Sequence, residues 1–86
     1  MQLLRTERFK KDFKRLPSEI QERVGTTLER FVDNPRHPSL HAKKMEGAPN
    51  IWELRVTDNY RITFQYENGD SIQLRKIGTH DILRNP

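Results

Sequence analysis

The chain has 86 residues, with 16 lysines and arginines against 12 aspartates and glutamates, a net charge of +4. That length holds one small domain, residues 1–86, and the charge balance favours polyanionic partners. No cysteine is present, which excludes disulfide staples and thiolate metal sites, and no run approaches the ~18 apolar residues of a membrane-spanning helix.

The N-terminus, MQLLRTERF, has no apolar signal core, so a cytoplasmic protein without a membrane partner is expected. Gln2–Arg5 is short and partly apolar and reads as a strand that joins the sheet formed later in the chain. From Thr6 the period becomes helical: Phe9, Phe13 and Leu16 recur at i, i+4 and i+7, with Thr6 as N-cap and Glu7 at the positive end of the helix dipole. The opposite side of this helix carries Lys10, Lys11 and Lys14, candidate contacts to a polyanion as well as an ordinary solvated face.

Pro17 stops the first helix, and Ser18 with Gln21 three residues on predicts a capping box for the second. Ile20, Val24, Leu28 and Phe31 form its apolar stripe, and Asn34-Pro35 ends it. Arg36 to Asn50, with Pro38, Pro49 and Gly47, reads as a loop carrying solvent-exposed His37, His41, Lys43 and Lys44. It is no domain boundary, because neither side could bury its apolar face alone.

Ile51 to His80 alternates with period two in three runs and predicts an antiparallel meander. Trp52, Leu54 and Val56 share a face with Ile62, Phe64 and Tyr66, and with Ile72 and Leu74. Thr57-Asp58-Asn59 makes the first turn, and Asn68-Gly69 predicts a type I′ turn for the second hairpin. Parity then places Glu53, Arg55, Arg61, Gln73 and Arg75 on the other face, a basic floor away from the helices. Ile77-Gly78 closes the third strand, and Thr79 to Arg84 is left as a last turn or short strand.

The sequence contains no Gly-rich phosphate loop, no HExxH and no nucleophile elbow, so neither a metal nor a nucleotide cofactor is expected. What remains suits metal-free phosphodiester cleavage. That reaction needs a base for the 2′-hydroxyl, an acid for the leaving 5′-oxygen and fixed positive charge for the phosphorane. Arg61 and Arg55 offer the charge from strands, and His80, just past the third strand, is of the residue type whose ordinary titration lies near neutral pH. Asp81 or Glu53 is the candidate to orient it or to act as base. Lys43, Lys44 and Arg75 join the helical lysines as candidate RNA contacts. Cross-strand pairing of arginine with glutamate is the alternative, purely structural reading of the same floor.

The order strand, helical hairpin, meander, with NYRITFQY and IGTHDIL as its local motifs, resembles the RelE/ParE superfamily of toxins from toxin-antitoxin modules over essentially the whole chain. The resemblance implies an α+β fold of the microbial-ribonuclease type, with an N-terminal strand and a helical hairpin packed on one face of an antiparallel sheet. It implies a type II toxin that cleaves mRNA on the ribosome without a cofactor and inhibits translation, with a cognate acidic antitoxin as partner. Tyr60-Arg61 is similar to the aromatic-arginine pair of the RelE-like branch, which gives Arg61 a transition-state role. His80 in Gly-Thr-His is similar to the C-terminal histidine of the YafQ-like subgroup and takes the role of general acid. The ParE branch shares the fold but inhibits DNA gyrase, and a degenerate toxin without activity is the third reading.

Overall fold

The computed structural model describes residues 1–86. Five strands form one sheet in the order β1-β5-β4-β3-β2, with β1 at Gln2–Arg5, β2 at Lys43–Lys44, β3 at Trp52–Arg55, β4 at Tyr60–Glu67 and β5 at Ser71–Thr79. β1 pairs with β5 in parallel, Gln2 opposite Ser71 and Arg5 opposite Leu74. All other pairings are antiparallel. Two helices, α1 at Glu7–Lys14 and α2 at Ser18–Asp33, complete the α+β domain.

Thr6 fixes the start of α1 from both sides. Its Oγ1 accepts from the Phe9 amide at 3.0 Å and donates to the Arg75 carbonyl at 2.7 Å, so the cap also ties the helix to β5. The predicted capping box at Ser18 does not form: Pro17 stands at the N-cap of α2 without a side-chain bond. Gln21 serves the neighbouring helix end, donating from Nε2 to the Phe13 carbonyl at 2.9 Å, which also accepts from the Leu16 amide at 3.1 Å and whose partner four residues on, Pro17, has no N–H to give.

The predicted stripes meet the predicted sheet face. Phe9, Val24, Leu28 and Phe31 are buried with Leu54, Val56, Ile62, Phe64, Ile72, Leu74 and Ile77. Phe31 meets Phe64 edge-on at 5.1 Å between centroids, the geometry that aromatic quadrupoles favour.

The segment 36–50 is more ordered than a loop. A 3₁₀ turn at Pro38–Leu40 drives Leu40 into the core, and Lys43–Lys44 adds the two-residue edge strand β2 opposite Glu53 and Trp52. The second hairpin also departs from expectation. Glu67 pairs with Ser71, leaving three linking residues, and of these only Gly69 has a positive φ. A type I′ turn needs two such residues in a two-residue link, so Asn68-Gly69 does not form one.

β5 continues to Thr79 and contains a bulge. Phe64 faces Leu74 but Thr63 faces Lys76, so Arg75 is the extra residue and the parity changes after it. The bulge explains how Leu74 and Ile77, three apart, both enter the core. Beyond Arg5 the outer edge of β5 has lost its parallel partner, and Asp12 caps it: Oδ2 accepts from the Ile77 amide at 3.1 Å. A 3₁₀ helix at His80–Arg84 follows.

Candidate active site

The face of the sheet opposite the helices is polar, but it is not the open basic floor that alternation predicts. Glu53, Arg61 and Thr63 are buried, because the C-terminal segment folds across this face. Ile82 sits so close over Gly78 that a Cβ there would lie 2.9 Å from Ile82 Cγ2. Farther on, the Pro86 backbone oxygen accepts from Thr63 Oγ1 at 3.3 Å and from Arg75 Nε at 3.2 Å.

Arg61 is the best-anchored group on the face. Its Nη1 donates to the backbone oxygens of Thr57, Asp58 and Tyr60, and its Nε lies 3.9 Å from Glu53 Oε1. These contacts turn the β3–β4 connection into a socket for one guanidinium. Nη2 has no protein acceptor and is not among the fully buried unpaired atoms, so it keeps slight contact with solvent in a side chain that is otherwise buried. A guanidinium held in this way has given up its rotamer freedom before any ligand arrives.

Sheet pairing brings the other candidates near it. Arg55 is the cross-strand partner of Arg61, Gly78 is its partner on the other side, and His80 begins the 3₁₀ helix two residues after Gly78. His80 is exposed and neither Asp81 nor Glu53 holds it. Glu53 is instead engaged with Arg61, because the two side chains lie on adjacent strands of the same face. That corrects its expected role as partner of His80.

Arg75 reaches Gln65 Oε1 with Nη1 and the Pro86 backbone oxygen with Nε, so it holds the C-terminal segment rather than facing solvent. Lys43, opposite Glu53 on β2, shares the polar face, whereas Lys44 stands opposite Trp52 and points to the helix side. Lys10, Lys11 and Lys14 line an apolar-floored groove of α1 with Phe9 and Phe13, on the far side of the sheet from Arg61. The structure therefore does not bring the helical lysines to the candidate site.

Lys76 belongs to this face and escaped the sequence reading, since strict alternation puts it in the core. Its Nζ donates to the Asn85 backbone oxygen. Only the bulge at Arg75 turns it outward, and a bulge leaves no mark in a hydrophobic pattern.

The architecture and the arginine-centred face define a class, the small α+β toxins of toxin-antitoxin modules. Residues 3–83 match the family described as ParE toxin of type II toxin-antitoxin system, parDE. Toxin RelE3 of Methanocaldococcus jannaschii is 33% identical over 79 residues, 90% of this chain and 88% of that protein. The toxin of the RelB-RelE antitoxin-toxin complex from Methanococcus jannaschii superposes with a TM-score of 0.75 at 28% identity, covering 95% of each chain. The YoeB/ParE toxin from Agrobacterium tumefaciens shares the fold, with a TM-score of 0.77 at 16% identity over 93% of this chain and 99% of that one. The chain belongs to the RelE/ParE superfamily of type II toxin-antitoxin toxins.

Proposed function

We propose that this toxin is a ribosome-dependent mRNA endoribonuclease that needs no metal. One observation carries the reading: the Arg61 guanidinium is fixed by three backbone oxygens and Glu53, on a strand whose neighbour β5 leads into His80. In the proposed reaction the Glu53 carboxylate takes the proton of the 2′-hydroxyl, and the 2′-oxygen attacks the neighbouring phosphorus. Arg61, aided by Arg55, stabilises the charge that builds on the phosphorane. The bond from phosphorus to the 5′-oxygen breaks, and His80 delivers a proton to that oxygen. The products are a 2′,3′-cyclic phosphate and a free 5′-hydroxyl. The bound partner is an acidic antitoxin, a reading supported by the toxin-antitoxin complexes of similar fold and by the +4 charge of this chain.

A second reading, inhibition of DNA gyrase, draws on the ParE description of the matching family. Two assays with one preparation decide between them: cleavage of mRNA on programmed ribosomes, and supercoiling by gyrase. The expected result is ribosome-dependent cleavage with supercoiling untouched. Blocked supercoiling without cleavage would replace the nuclease reading by the second.

A further inference from the structure

A cavity of about 590 Å³ opens between α2, the 3₁₀ turn at Pro38–Leu40 and the β3–β4 connection. Arg23, Arg30 and Arg55 all line it, over a floor that includes Thr27 and Leu40. Arg23 and Arg30 are seven residues apart on one helix, two turns on the same face. Neither has an acidic partner. Arg23 makes a single 3.5 Å bond to the Val56 carbonyl, and Arg30 makes one to Ser39 Oγ at 3.0 Å. The only carboxylate at the rim is Asp58, 3.9 Å from Arg55 Nη1 and itself 94% exposed. Arg55 Nε is the one buried side-chain polar atom of the molecule without a hydrogen-bond partner. Three guanidinium groups around one opening, with a single exposed carboxylate at its rim, form a positively charged recess suited to an anion.

The wall of the cavity is shared with the candidate active site. Thr57 and Asp58 line it while their carbonyls hold Arg61, and Arg55 lines it while pairing across the strands with Arg61. An anion here would therefore lie against the turn whose Thr57 and Asp58 carbonyls hold Arg61. The lining is dominated by arginines and hydroxyls, without the aromatic or aliphatic anchors that a docked peptide uses. We infer that this cavity binds a phosphodiester group of single-stranded RNA next to the one that is cut, an inference that rests on the nuclease reading above. It makes Arg23 and Arg30 substrate-positioning residues on a helix that otherwise only covers the core.

The test compares wild type with the double variant Arg23→Gln, Arg30→Gln, using hexauridylate, inorganic phosphate and hexaglutamate as probes. In wild type, phosphate and hexauridylate should shift the Arg55 side-chain resonances. The double variant should bind hexauridylate at least tenfold more weakly, with a slope of log affinity against log salt shallower by about 0.7, the value for one phosphate of a single strand. In ribosomal cleavage its KM should rise with kcat held. Hexaglutamate binding as tightly as hexauridylate would overturn the assignment in favour of an acidic peptide. Wild-type cleavage with KM unchanged in the double variant, or an unchanged salt slope, would remove the cavity from RNA binding while leaving the nuclease reading intact. A wild type that cleaves nothing, yet shows the phosphate shift and loses it in the double variant, would keep the anion site and discard the nuclease. Circular dichroism melts confirm folding, which neither exposed arginine is placed to control.

Discussion

Three backbone oxygens and a carboxylate converge on Arg61, so its replacement has two consequences that must be measured apart. Arg61→Ala leaves Glu53 buried without its partner and takes a donor from the Thr57 and Asp58 carbonyls, while the Tyr60 carbonyl keeps the Val56 and Thr57 amides. The expected loss of stability is about 3–5 kcal/mol, the range for breaking a buried pair. Alternation places this side chain on an open floor away from the helices, and its burial there is what ties it to stability. The same change should reduce cleavage about 10²- to 10³-fold per folded molecule. Rates taken well below the melting temperature, beside denaturant titrations, separate the two effects. His80 is the contrasting case. It is exposed and anchors nothing, so His80→Ala should alter stability by no more than about 0.5 kcal/mol while lowering cleavage roughly 10²- to 10⁴-fold. As the acid it works protonated, so the wild-type rate should fall as pH rises. The variant's profile should lack that fall. Wild-type rates in the variant at every pH would exclude His80 from the mechanism.

The elements that were legible in the sequence are those whose signal is local. Thr6 before Phe9, Phe13 and Leu16 announces α1, and the alternation around Ile62 and Phe64 announces β4, because period and cap are written within one segment. What was illegible depends on partners far away in sequence. β2 is strand only because Glu53 and Trp52 pair with it, and Leu40 is core only because a 3₁₀ turn aims it there. Arg61 looked exposed because the 3₁₀ helix that covers its face begins nineteen residues later. The docking of that helix depends on Gly78, whose missing Cβ makes room for Ile82. Gly78→Ala should push Ile82 outward at a cost of about 1–3 kcal/mol, the usual range for overpacking. Amide hydrogen exchange at residues 80–84 should accelerate, and cleavage should drop as His80 loses its place. An unchanged exchange pattern would show that the helix adjusts without leaving the sheet.

At the scale of the whole molecule, the domain is small and its margin of stability modest, so a partner that binds only the folded state should change it visibly. An antitoxin present at 100 times its dissociation constant contributes about 2.7 kcal/mol, which for a domain of this size raises the melting temperature on the order of 10–20 °C. Co-expression of the cognate antitoxin should also relieve any growth arrest that the chain causes. A melting curve insensitive to a candidate protein, with arrest unrelieved, would argue against it as the antitoxin.

The parallel pairing of β1 with β5 sets an order of events during synthesis. The first strand made is the one that must wait longest, because its partners lie around residues 71–74, and β5 is completed only at Thr79. Until then neither Tyr60 nor Arg61 has its β5 neighbour. A nascent chain whose residues 71–79 are still inside the ribosome cannot close the sheet, so the face that carries Arg61 is assembled only once β5 has emerged. Pairings this distant in sequence also slow folding, toward the millisecond-to-second range. Stopped-flow refolding followed by Trp52 fluorescence should show that timescale, and chains stalled before residue 79 emerges should remain sensitive to protease. Protease resistance in such stalled chains would mean that the two helices and the first hairpin hold together without β5.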